Sequence, residues 1–260
     1  MPNKIPEIVE RIPCGKSIYS VYRFVKDNFR KLIFYVQNGT HYNRSKFYNH
    51  ILKSSAGECS HQTDIFDHLS TIFFFATDAN PKLMVELGTR GGESTRALLA
   101  ATSVTNSILL SIDIEDPEQD IIDFQEHWHF VKTDDIEFGK TEFNSWCLSH
   151  SIEPVIDLLF IDTSHDYLHT KQEIKIWSKY LSDKGTIIFH DTNMRKGVYV
   201  RNDGSIGFGW NNERGVVKAI EEFVNRQYDE NSYFCDVTDK YNLIHFPNCN
   251  GLTVLKKRME

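Results

Sequence analysis

No apolar run approaches the roughly 18 residues that a membrane-spanning helix needs, so none is expected. Cysteine is scarce. Cys14, Cys59, Cys147, Cys235 and Cys249 are scattered, odd in number and never in a C-x-x-C pair. That pattern excludes a disulfide framework and a structural zinc site, and it indicates free thiols in a reducing compartment. The opening residues, MPNKIPEIVERIPCGK, contain no apolar stretch of the secretory type, so a cytoplasmic location is expected. There is no internal repeat and no low-complexity tract. Positive charge is also scarce where most of the chain lies. Residues 61–260 carry 19 Lys and Arg against 32 Asp and Glu, which makes a poor nucleic-acid surface.

What remains is an ordinary globular composition, 40% apolar and 25% charged over 260 residues, enough for a full core. The net charge of −7 is unevenly placed, because residues 1–60 hold ten Lys and Arg against four Asp and Glu. Within them, residues 17–53 combine aromatics with Arg23, Lys26, Arg30, Lys31, Arg44, Lys46 and Lys53. One reading is peripheral contact with an anionic membrane surface. The other is a helical extension over 1–62 that caps the main domain or forms a homo-oligomer contact. The second is favoured, because apolar residues circle the helix rather than forming a stripe.

A helix is expected over 63–77, capped by Thr63 or Asp64. From Lys82 the rhythm becomes strand and helix in alternation. The runs KLMVEL, SILLSID, HFVKTD, VIDLLFID and GTIIFHD are separated by helix-like stretches at 92–103, 117–126, 137–150 and 166–181. The end looks β, with SYFCDV, YNLIHF and GLTVLKK after a glycine-rich loop over 194–215 and a helix, VVKAIEEFVNRQY, and a closing β pair there would complete seven strands. This predicts an α/β, Rossmann-like, doubly wound sheet of seven mostly parallel strands with helices on both faces, filling a domain over 63–260. In such sheets ligands bind beyond the carboxyl ends of the strands. Glu86, Asp113, Asp134, Asp162 and Asp191 stand at or beside those ends.

The first of these acids opens the stretch ELGTRGG, with Gly88, Gly91 and Gly92 leading into a helix. Glycines there let backbone approach a ligand closely. A phosphate-binding P-loop would need a lysine after the glycines, and none is there. A dinucleotide fingerprint would need glycine where Arg90 stands. The spacing E-x-G-x-x-x-G, made by Glu86, Gly88 and Gly92, resembles the first motif of class I S-adenosylmethionine-dependent methyltransferases. The resemblance covers about residues 63–256. It implies that the turn, with Glu86, Gly88, Thr89 and Gly92, wraps the methionine end of S-adenosylmethionine. It places Asp113 on the ribose, and Asp134 and Asp135 near the adenine. Arg90 is either a partner for the cofactor carboxylate or a solvated arginine.

The stretch from Ile156 to Asn193 resembles a subgroup that methylates sugar or small-molecule hydroxyls. This subgroup includes macrolide-sugar O-methyltransferases and relatives of cephalosporin-hydroxylase-like proteins. Its pattern falls here on Asp162, His165 and Asp191. An alcohol attacks a sulfonium methyl in line and only after losing its proton, so His165 is the expected general base, with Asp162 beside it. The resemblance also implies a divalent cation such as Mg²⁺ on Asp162 and Asp191. The family's third ligand beside the second aspartate is missing, and His190 is the neighbour that could replace it. HDYLH (165–169) mimics a zinc-protease helix but lacks its glutamate, so no zinc is assigned there. Trp210, Asn211 and Arg214 in the long loop are the acceptor-site candidates, for a small-molecule or glycan acceptor. Two rivals are a nicotinamide-dependent oxidoreductase and a cofactor-binding partner subunit that does not catalyse.

Overall fold

The computed structural model describes residues 65–117, 127–194, 197–200, 206–209 and 213–258. The expected extension over 1–62, the caps Thr63 and Asp64, and nearly all of the expected helix over 117–126 lie outside these residues, as do Trp210 and Asn211.

A 3₁₀ turn, Phe66–His68, leads into α1 (Leu69–Asp78). The alternating part follows as β1 (Leu83–Leu87), α2 (Glu93–Thr105), β2 (Ile108–Asp113) and β3 (Trp128–Lys132). The single helix expected over 137–150 is two, α3 (Asp135–Thr141) and α4 (Phe143–Ser149), which divide at Glu142. Then come β4 (Ile156–Ile161), α5 (Tyr167–Trp177) and β5 (Leu181–His190). The expected loop over 194–215 contains an antiparallel hairpin, β6 (Gly197–Val200) with β7 (Ile206–Gly209). The chain continues as α6 (Gly215–Val224), β8 (Phe234–Val237), β9 (Tyr241–Phe246) and β10 (Leu252–Lys257).

The main sheet runs β3-β2-β1-β4-β5-β10-β9-β8. The first five strands are parallel and the last three antiparallel. It is the expected doubly wound sheet with eight strands rather than seven. The additional one is β8, a four-residue strand that alternates half-buried and exposed as it pairs with β9. β1 is buried throughout, since central parallel strands are covered on both faces and read as unbroken apolar runs.

Alternate residues of each strand feed two cores. Met84, Leu109, Leu158 and Ile188 pack with Ile72, Phe73 and Leu98 of α1 and α2. Leu83, Val85, Leu110, Leu159 and Ile187 pack on the other face with Phe138, Phe143, Trp177 and Ile220 of α3 to α6. No disulfide joins the three described cysteines, Cys147, Cys235 and Cys249, to one another. No described helix is long and apolar enough to cross a membrane.

The strand order places a topological switch point between β1 and β4, where the chain turns from one half of the sheet to the other. The strand ends there meet directly. Asp162 N–H donates to Leu87 O at 2.9 Å. A Cβ on Gly88 would lie 2.1 Å from the Asp162 carbonyl oxygen, and its φ is +86°. Only glycine satisfies both demands.

Candidate active site

A cavity of about 380 Å³ opens over the switch point, lined by the glycine turn, the ends of β2 and β3, and the segments after β4 and β5. Gly88, Thr89, Asp113, Asp134, Asp135, Asp162, His165, His190 and Asp191 all line it, so the structure gathers most of the residues singled out from sequence. Arg90, His165 and Asp191 line it too, with φ values of 43°, 59° and 54°. Non-glycine residues in the left-handed region cost energy and persist where surrounding structure enforces them, often at functional sites.

At the glycine turn, Asp113 Oδ2 accepts the backbone N–H groups of Thr89 (2.6 Å) and Arg90 (3.0 Å). Its Oδ1 accepts Glu115 N–H at 2.9 Å. The carboxylate at the end of β2 therefore holds the turn in place while still lining the cavity. Thr89 is 3% exposed, and its hydroxyl has no hydrogen-bond partner among the described residues. Gly92, at φ +81°, precedes the first residue of α2. At the far end, Asp134 caps α3 by accepting Glu137 N–H at 2.8 Å.

Glu86 stands apart from the cavity. It shares the face of β1 that carries Met84, against α2, and its carboxylate accepts from Ser94 (2.7 Å), Thr95 (2.9 Å) and Ser111 (2.6 Å). Trp128 Nε1 in turn donates to Ser111 Oγ at 2.9 Å. One buried carboxylate thus joins β1, β2, β3 and the first turn of α2. Burial pushes it up from the usual 4.5 to about 7, against the pull of the three hydroxyls. The folded chain then holds this proton more tightly than the unfolded chain. The stabilisation is complete below about 4.5 and is lost as pH rises through about 7. Its size is on the order of 3 kcal/mol. Melting curves from pH 5 to pH 8 should show a decline in stability that is shallower in Glu86→Gln. Equal slopes for the two proteins would rule out Glu86 as the titrating group.

The ends of β4 and β5 assemble two carboxylates and two imidazoles. His165 Nε2 lies 2.6 Å from Asp191 Oδ2 and 3.3 Å from Asp162 Oδ1. His190 Nδ1 lies 3.2 Å from Asp162 Oδ1 and 3.4 Å from Asp191 Oδ1. His190 and Asp191 are 2% exposed, and His190 Nε2 is buried with no partner among the described residues. Burial disfavours the charged form of His165, but Asp162 and Asp191 outweigh it and raise the imidazole to about 10. His190 is raised by the same two carboxylates, again against burial. Asp191 is correspondingly held well below the usual carboxylate range. Asp162 does not cap α5, since Asp166 does so by accepting Leu168 N–H (2.9 Å) and His169 N–H (3.1 Å). Gly215 braces the loop, because a Cβ there would lie 2.4 Å from His165 O.

Asp162, His165 and Asp191 each offer a ligand atom within 4.8 Å of the others, so the set fits a divalent cation. Asn193 points elsewhere, its Nδ2 donating to Pro247 O at 2.9 Å. Arg214 is engaged by Glu221 (2.9 Å) and Glu230 (2.8 Å) and does not line the cavity. Sequence reasoning missed several lining residues, including Ile114, Thr163 and His169. Ile114 is 68% exposed beside Asp113, an apolar surface at the cavity rim.

Residues 85–192 match a protein-family model described as a methyltransferase domain. The comparison with curated proteins returned no match. Among solved structures, the chain resembles an O-methyltransferase from Bacillus cereus in complex with S-adenosylhomocysteine. The identity is 12% and the TM-score 0.51, over 86% of this chain and 96% of that one. It also resembles a TDP-rhamnose 3'-O-methyltransferase of calicheamicin biosynthesis, with 13% identity and a TM-score of 0.50, over 87% and 92%. At such identities the likeness speaks for the fold. The match marks residues 85–192 as similar to a methyltransferase domain, and the sheet topology is the Rossmann-like one that the sequence predicts.

Proposed function

We propose that the chain transfers the methyl group of S-adenosylmethionine to a hydroxyl of a sugar or secondary-metabolite acceptor. The observation that carries this reading is the Asp162–His165–Asp191 cluster in the wall of the cavity that also holds the glycine turn. The two structural neighbours named above are both O-methyltransferases by name. Gly88, Thr89 and Gly92 would face the methionine end, Asp113 the ribose, and Asp134, Asp135 and Ile114 the adenine end. Glu86 would act from beneath, as the residue that fixes the turn to the sheet. Arg90 is the candidate partner for the cofactor carboxylate. Trp210 and Asn211 stay the acceptor-side candidates. Arg214, tied to Glu221 and Glu230, would anchor the start of α6.

Charge distinguishes this reading from a nicotinamide-dependent one. The described cavity wall carries seven carboxylates, Glu93, Asp113, Glu115, Asp134, Asp135, Asp162 and Asp191, against one arginine, Arg90, and three imidazoles, His165, His169 and His190, so acid predominates. A pyrophosphate would meet like charge there, whereas a sulfonium and an ammonium meet opposite charge.

Methyl transfer needs the acceptor oxygen in line with the sulfonium methyl and relieved of its proton. In this reading His165 takes that proton. Between two carboxylates its imidazole already carries one at neutral pH, so that proton must leave first. A divalent cation such as Mg²⁺ held by Asp162 and Asp191, with His165 or His190 beside them, would lower the acceptor hydroxyl's pKa and neutralise those two carboxylates. Chelator should then suppress turnover and Mg²⁺ should restore it. Full activity in excess chelator would instead assign Asp162 and Asp191 to direct contact with the acceptor.

A further inference from the structure

Asp135, His169 and Glu173 form a second cluster, sharing no residue with the first. Asp135 opens α3, while His169 and Glu173 are four residues apart on α5 and so share one face. His169 Nε2 lies 3.1 Å from Asp135 Oδ1 and 3.7 Å from Glu173 Oε1. Thr163 Oγ1 donates to Glu173 Oε1 at 2.7 Å. The other two carboxylate oxygens, Asp135 Oδ2 and Glu173 Oε2, are buried and accept no hydrogen bond from the described residues. Glu173 is 0% exposed and Asp135 is 7% exposed.

Two buried carboxylates with idle oxygens beside one imidazole are an expensive arrangement, because a single imidazolium balances only one of them. The missing element is positive charge. One ligand atom from each residue already lies within 4.8 Å of the others. At bonds of about 2.0–2.2 Å tetrahedral ligands stand about 3.3–3.6 Å apart, so a contraction of up to about 1.5 Å closes the site. One nitrogen and two oxygen donors suit borderline divalent ions more than Mg²⁺ or Ca²⁺, which prefer all-oxygen shells. Asp135 and His169 also line the cavity, so the ion would keep a coordination position open to it.

We propose that Asp135, His169 and Glu173 bind a divalent transition ion of the Mn²⁺-to-Zn²⁺ kind, in a site separate from Asp162 and Asp191. The ion would tie the first turns of α5 to the start of α3 and brace that wall of the cavity. The alternative occupant is a proton shared by Asp135 and Glu173, consistent with burial pushing Glu173 up to about 8.

The test is a titration of the full, metal-stripped chain with Co²⁺, in a background of Asp162→Asn and Asp191→Asn that disables the first cluster. One equivalent should bind with visible absorption and raise the melting temperature. Adding His169→Gln and Glu173→Gln should weaken binding by more than about 100-fold, since even outer-shell partners cost 10–100-fold. A folded background that binds no Co²⁺, or binding unaltered by the two further substitutions, would overturn the proposal in favour of the shared proton. If the background itself fails to fold, stoichiometry decides. The otherwise unaltered chain should take one equivalent more than the His169→Gln, Glu173→Gln protein, and equal stoichiometry would overturn the proposal.

Discussion

Replacing His165 by asparagine should lower turnover by about 10²–10⁴-fold, the usual worth of a positioned base. Cofactor affinity should change little, because the proposed cofactor contacts belong to the ends of β1, β2 and β3. Asparagine is chosen because His165 has φ 59°, a conformation asparagine tolerates better than alanine. The substitution also removes one partner of the Asp162 and Asp191 carboxylates, so a loss of stability is expected too. The two effects separate in the readout. Turnover per folded molecule, measured at saturating cofactor, falls only if the imidazole handles the acceptor proton. If a folded variant methylates at near wild-type rate, His165 serves to neutralise the carboxylates and the proton leaves by another group.

Asp113→Ala carries the second large effect, this time on binding. In the structure its carboxylate accepts three backbone N–H groups, from Thr89, Arg90 and Glu115. In the proposed complex it also faces the two ribose hydroxyls. Hydrogen bonds to a charged acceptor contribute about 1.5–3 kcal/mol each, so losing two corresponds to a rise in Kd of at least about 100-fold. Part of that rise would come from the turn itself, which loses its anchor. Asp113→Asn tells the two apart, because its remaining side-chain oxygen can still accept from the turn. Calorimetry should rank affinity as wild type, then Asn, then Ala. Unchanged affinity in the alanine variant would remove Asp113 from the ribose.

Much of this site was legible in the sequence because the central strands are parallel and covered on both faces. Such strands read as short unbroken apolar runs, and the first polar residue after each marks the sheet edge where ligands bind. Asp113, Asp162 and Asp191 were found in that way. β8 lies in SYFCDV, which reads as β, but a count of seven allows only a closing pair there, and a short edge strand that alternates with solvent gives little apolar signal for a third. Glu86 was legible as a strand-end acid, but not as one that faces α2. That depends on which face of β1 it shares with Met84, and the pleat carries that information only once the sheet order is known. The state of His165 was not legible either. An isolated imidazole titrates near 6.5, and what raises it here, against burial, is Asp162 together with Asp191, the latter 26 positions away and 2.6 Å distant. The Asp135, His169 and Glu173 cluster depends on the same kind of long-range meeting. His169 and Glu173 share a helix face by spacing alone, but Asp135 joins them only through the packing of α3 on α5.

S-adenosylmethionine is the ligand proposed for the cavity over the switch point. Isothermal titration of the full chain with S-adenosylmethionine, and separately with NAD⁺, tests it most directly. Saturable binding of one S-adenosylmethionine per chain, weakened by Asp113→Ala, with no heat from NAD⁺, is expected. Saturable binding of NAD⁺ without binding of S-adenosylmethionine would contradict it.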